Sequence, residues 1–140
     1  MNNSVTERGL ELFTEIMGEA AATQMKAGMA GEGFTAAISQ LATDFAFGSV
    51  WSRDGLERKQ RSLVTIGVLI AQKQTAELRN HVRIALRNGL TAQEIGEAVV
   101  QTLPYVGFPA VASATTVVIE VLREEGVDTK TRTSEERGLL

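Results

Sequence analysis

Proline is absent from this chain until position 104, and only one other, Pro109, follows it. Proline is the strongest single interrupter of a helix, because it lacks an amide donor and its ring clashes with the preceding turn. Everything before Leu103 can therefore run as helix broken only by glycines. The apolar residues in these segments recur mostly at spacings of three and four, the period of a helix with one buried face. The pattern predicts an all-α fold of about six helices. With 140 residues, 44% of them hydrophobic, the chain fits one core. Residues 1–126 are expected to form a single helical domain, followed by a polar tail at 127–140.

The first helix is expected over Val5 to Met17, with Leu10, Leu12, Phe13 and Met17 on its apolar side and Glu7, Arg8, Glu11 and Glu15 elsewhere. The glycine-bearing stretch AATQMKAGMAGEG reads as a connector or a frayed helix end. A second helix follows from about Phe34 to Gly48. Leu56 to Lys73 is rich in β-branched residues, which favour strands, but it is too long for a strand and apolar on every side. It is expected to be a buried central helix. Ala76 to Asn88 comes next, closed by Asn88-Gly89 in a left-handed cap. Thr91 and Glu94 form a T-x-x-E capping box, with Leu90 and Ile95 placed as a hydrophobic staple. That fifth helix should end or kink at Pro104, Pro109 should lie in the first turn of the sixth, and Gly126 should close it. The tail VDTKTRTSEERGLL is poor in core residues and is expected to be mobile or laid against a neighbouring subunit.

Composition removes several kinds of chemistry. There is no cysteine, so disulfides, Fe–S clusters, thiolate metal sites and thiol catalysis are all excluded. One histidine cannot build a mainly histidine zinc site within a single chain, so no metal is assigned. The formal charge of −3, from 14 basic and 17 acidic residues, leaves no basic tract for a phosphate backbone, so nucleic acid is not an expected partner. The longest apolar run, Ser62 to Ala71, falls short of the roughly 18 residues a membrane span requires. The N-terminal MNNSVTERGLELF carries no basic leader and apolar stretch. A cytoplasmic protein is expected, and the scattered glycines form no nucleotide-binding pattern.

His81 is the one side chain whose ordinary pKa lies near neutrality. At 100° per residue it shares a helix face with Glu77, Leu78, Ile84 and Ala85, so a carboxylate sits one turn from an imidazole on a largely apolar surface. The pair suits acid/base catalysis, but spacing alone favours a hydrogen-bonded interface histidine. Arg79, Arg83 and Arg87 form a stripe about 160 to 200° away from His81, which suits solvent or a subunit contact better than an anion site. Arg58, in the cluster Arg58-Lys59-Arg61, could hold a substrate carboxylate or simply make a solvated first turn. Trp51 and Tyr105, each in a turn between helices, could line a pocket or plug the end of the bundle.

Three stretches, FGSVWSRDGLERKQRSLVT (47 to 65), ELRNHVRIALRNGLTAQEI (77 to 95) and YVGFPA (105 to 110), resemble the carboxymuconolactone decarboxylase family in residues, order and spacing. The resemblance covers about Arg8 to Glu124 and is densest from Phe47 onwards, with RGLELFTEIMGE similar to the family's N-terminal segment. It is to the decarboxylase branch. The related alkylhydroperoxidase branch carries a C-x-x-C pair before its histidine, and aligning that histidine on His81 puts Gln74 and Glu77 at the cysteine positions. Ser49 stands where the family often has glutamate, and Val106 where the decarboxylases usually have cysteine.

The resemblance implies an all-helical protein assembled into a homo-oligomer, a trimer or hexamer, with active sites near subunit contacts. It also implies a cofactor-free lyase that releases CO2 from a small carboxylated lactone in aromatic-compound degradation, the β-ketoadipate pathway. In that reading His81 is the general acid/base, Glu77 orients it, and Arg58, Trp51 and Tyr105 bind the substrate. Two alternatives stand beside it. The pocket could isomerise, cyclise or open the ring of a related cyclic acid, or the protein could be a non-catalytic oligomeric binding protein in which His81 only packs.

Overall fold

The computed structural model describes residues 3–139, and among them all regular structure is helical, with no strand. Positions 1, 2 and 140, which the expected domain limits include, lie outside the described residues. Ser4 opens α1 (Val5–Met17) with a full capping box: its hydroxyl accepts from the Glu7 amide at 3.2 Å, and the Glu7 carboxylate accepts from the Ser4 amide at 2.7 Å. Gly18 (φ 92°) ends this helix, and α2 (Glu19–Ala30) starts directly after it. After Gly33 (φ 79°) comes α3 (Phe34–Leu41), which widens into a π-helical segment, Ala42–Trp51. The remaining helices are α4 (Arg58–Ala71), α5 (Thr75–Arg87), α6 (Ala92–Val106) and α7 (Phe108–Glu124).

The chain divides into two compact units, one through Arg58 and the other from Lys59. In the first, α1 packs on the π-helical segment at backbone distance. A Cβ on Gly9 would collide with the Thr43 carbonyl oxygen, and one on Gly48 would collide with that of Val5. Only glycine permits either approach. Leu12, Phe13 and Ile16 fill the space beside them, with Phe13 meeting Phe47 edge to face at 5.1 Å. In the second unit, Ile66 and Ile70 of α4, Leu78, Val82 and Ala85 of α5, Ile95 and Val99 of α6, and Ala114, Val118 and Val121 of α7 make one buried cluster.

Several local expectations hold. The α5 terminus is a Schellman motif: Gly89 has φ 96°, its amide donates to Leu86, and the Leu90 amide donates to Ala85, both at 3.0 Å. The Thr91/Glu94 capping box forms in both directions. Leu90 and Ile95 are both buried in the same cluster.

Other expectations are corrected. The structure has seven α-helices among the described residues where about six were expected, and the additional one is α2. Its alanine-rich interior tolerates Gly28 inside the helix, a cost of only about 1 kcal/mol. The second expected helix is α-helical only to Leu41 before the π register begins. Pro104 does not end α6 but lies inside its last turns, where its missing amide forfeits one hydrogen bond, that to the Val100 carbonyl, and the helix still continues to Val106. α4 is not a wholly buried central helix: Ser62, Ile66 and Ile70 are buried, whereas Leu63, Val64 and Val68 are exposed. Among the described residues, the helix that buries the most side chains is α7. The tail folds back on α7. Arg123 donates to both carboxylate oxygens of Glu136 at 2.7 and 2.9 Å and to the Thr131 carbonyl at 3.0 Å, and Thr133 is buried. No helix among the described residues is long and apolar enough to cross a membrane.

Candidate functional site

His81 lies in the middle of α5, whose Leu78, Val82 and Ala85 point into the second unit's core. The helix therefore carries His81 at the edge of an apolar cluster. The imidazole is half-buried, with Nδ1 out of solvent. Burial pushes its pKa below 6.5, because the charged form loses hydration, and the exposed Glu77 carboxylate one turn earlier partly opposes this. At neutral pH the ring is thus predominantly neutral, able to accept a proton on one nitrogen and donate from the other. A carboxylate arriving beside it would raise its pKa and favour the imidazolium.

Other residues of this unit sort clearly. Arg79 pairs with Glu120 and, at 3.2 Å, with Glu124. Arg83 pairs with Glu124 at 2.7 Å and Glu125 at 3.3 Å. The arginine stripe is therefore largely a partly solvent-exposed ladder of ion pairs between α5 and α7, with Arg87 exposed beyond it. Tyr105 is 81% exposed in the last turn of α6, so it does not plug the end of a bundle. Phe108, just beyond Gly107, is also exposed. Among the described residues, no group of three or more His, Asp or Glu side chains comes together as a metal site.

The first unit contains a cavity of about 430 Å³. One wall comes from α1, through Arg8, Glu11, Leu12 and Glu15, and the other from Trp51 at the end of the π-helical segment and the loop up to Arg58. The glycine-mediated contact of the π-helical segment with α1 fixes where Trp51 emerges. Polar bonds tighten it: Thr6 donates to Asp44 at 2.7 Å and Gln40 donates to the same carboxylate at 2.8 Å, which together hold the Asp44 carboxyl below its ordinary pKa. The Ser49 hydroxyl donates to the Asp44 carbonyl at 2.9 Å, and that of Ser52 donates to the Gly48 carbonyl at 2.6 Å.

The structure thus brings two of the expected substrate-binding residues, Trp51 and Arg58, to one cavity. Arg58 is already engaged there, by Glu15 at 2.6 Å. Arg8, Glu11 and Glu15, which also line this cavity, carry no distinctive signal in the sequence. Their spacing of three and then four does place them on one helix face, but a solvated face gives the same signal.

Residues 36–120 match the model of the carboxymuconolactone decarboxylase family. The chain belongs to this family. It is 37% identical to 4-carboxymuconolactone decarboxylase of Acinetobacter baylyi over 121 residues, which cover 86% of this chain and 89% of that one. It is also 44% identical to nitrosuccinic acid decarboxylase of Metarhizium robertsii over 91 residues, covering 65% of this chain and 64% of the fungal one. A third relative, an uncharacterised 15.0 kDa protein of Paracoccus denitrificans encoded between nqo9 and nqo10, is 41% identical over 81 residues, 56% of this chain and 60% of its own.

Proposed function

We propose that this protein is a cofactor-free carboxy-lyase that releases CO2 from a small carboxylated lactone, with 4-carboxymuconolactone as the substrate to test first. The observation that carries this reading is the match to 4-carboxymuconolactone decarboxylase over nearly the whole of both chains. The second relative is also named for a decarboxylation of a small acid. Both reactions require that the electron pair of the broken C–C bond find an acceptor, a lactone carbonyl in one substrate and a nitro group in the other.

In the proposed reaction the bond between the ring carbon and the carboxylate breaks, CO2 departs, and the electron pair passes into the conjugated lactone as a dienolate. A proton then closes the step at carbon. His81 supplies it as imidazolium and is protonated again from water, so one proton is taken up for each CO2 released. Its depressed pKa makes the charged ring a better proton donor than an exposed imidazolium, and Glu77 supports the charged form. Trp51, Arg58 and Tyr105 bind the substrate, in an environment that must stabilise negative charge at the lactone oxygen. The working form is a cytoplasmic homo-oligomer, a trimer or hexamer, whose contacts would cover the apolar side chains left exposed on α3, α4 and α6.

Purified protein mixed with 4-carboxymuconolactone should release CO2 and form the enol-lactone. Failure to release CO2 from this compound would remove the specific assignment, and a new product without CO2 would favour an isomerase or ring-opening enzyme instead.

A further inference from the structure

We infer that Arg8 is the residue through which the first unit's cavity reads a carboxylate, so the ligand held beside Trp51 is a small organic acid. This deepens the decarboxylase reading and rests on it for the identity of that acid as substrate.

Three arginines line the cavity, and they are not equivalent. Arg58 is neutralised by Glu15 at 2.6 Å, and Arg53 has a partner within the chain. Arg8 donates one Nη1 hydrogen bond, at 2.6 Å, to the backbone carbonyl of Asn3, and no carboxylate among the described residues lies within ion-pair distance of it. A guanidinium has five N–H donors in a planar fork that matches a carboxylate. With one donor fixed on a carbonyl, the group is oriented while the rest of its fork stays available. Its backbone is held as firmly, because the adjacent Gly9 packs directly on Thr43.

The surrounding charge makes this arginine decisive. Glu11, Glu15, Asp54 and Glu57 also line the cavity, four acids against three arginines. Such a rim gives an anion no general attraction, so binding must come from a specific, directed contact. Leu12, Leu56 and the Trp51 indole offer apolar surface for the carbon skeleton, and about 430 Å³ is within the usual size of small-molecule sites.

Trp51 is the chain's one tryptophan, so its fluorescence reports this cavity without any need for turnover. We would titrate the protein with adipate, a stable dicarboxylate, and with uncharged adipamide, at low ionic strength. The expected result is a saturable change with adipate alone, weakened about tenfold or more in Arg8→Gln, as loss of a hydrogen bond to a charged group implies. Arg8→Lys, which keeps the charge but not the fork, should fall between, and Arg58→Gln should weaken binding less than Arg8→Gln. Unchanged melting of each variant shows that it is folded. The inference is overturned if wild-type protein gives no saturable response to adipate, if Arg8→Gln titrates like wild type, or if adipamide matches adipate. Arg8-dependent adipate binding in a protein that releases no CO2 from 4-carboxymuconolactone would sink the substrate assignment and leave this inference standing.

Discussion

His81 is a histidine whose neighbours pull in opposite directions. Burial against the α5 face lowers its pKa, and Glu77 raises it by charge. The larger effect is burial, so in the unliganded protein the imidazole should titrate below 6.5 by NMR, and lower still in Glu77→Gln. A midpoint above 6.5 would contradict this account of its environment. The same shift has a stability consequence. Between the folded-state pKa and 6.5 the unfolded chain holds more protons, so stability rises with pH across that window and is lost as pH falls through the folded pKa. His81→Gln should flatten this dependence. The residue's candidacy was legible in the sequence, because it is the one histidine and because i, i+4 spacing puts Glu77 beside it. Its burial was not legible, since it depends on how α5 seats against α4 and α7.

At the scale of elements, the features that read most clearly were those written in local chemistry. The Asn88-Gly89 stop and the Thr91/Glu94 start need only a few adjacent residues, and both form as expected. The Ser4/Glu7 box is just as local, but it is set in a polar N-terminal stretch that masks it. Thr91→Ala and Ser4→Ala should each cost about 1 kcal/mol, seen as a fall of several degrees in melting temperature. A loss below about 0.3 kcal/mol in both would mean that these caps do not hold their helices. α2 was harder to see, because three glycines within thirteen residues resemble a linker, whereas alanine's high propensity and burial of Ala22 carry the helix through Gly28. The π-helical segment was not legible at all. It packs on α1 through the close backbone approach at Gly9 and Gly48, a tertiary contact that no local pattern announces, and it is this segment that delivers Trp51 to the cavity.

For the molecule as a whole, the all-helical class and the family followed from pattern and motif, while the distribution of exposed apolar residues did not. Phe34, Ile38, Leu41 and Phe45 are all more than half exposed in the first unit, as are Val64, Val100, Tyr105 and Phe108 in the second. α4 is exposed on one side for the same reason: an all-round apolar pattern does not say whether its second face meets the same chain or another copy. Sedimentation equilibrium should therefore give a mass of three or six times the 15.1 kDa protomer, and a monomer at micromolar concentration would contradict the proposed assembly. The central claim is tested most directly by the rate of CO2 release from 4-carboxymuconolactone by wild-type protein and by His81→Asn. Removal of a proton-transfer group predicts a loss of roughly 10²- to 10⁴-fold in kcat with little change in KM. Release of CO2 at the wild-type rate by His81→Asn would contradict it.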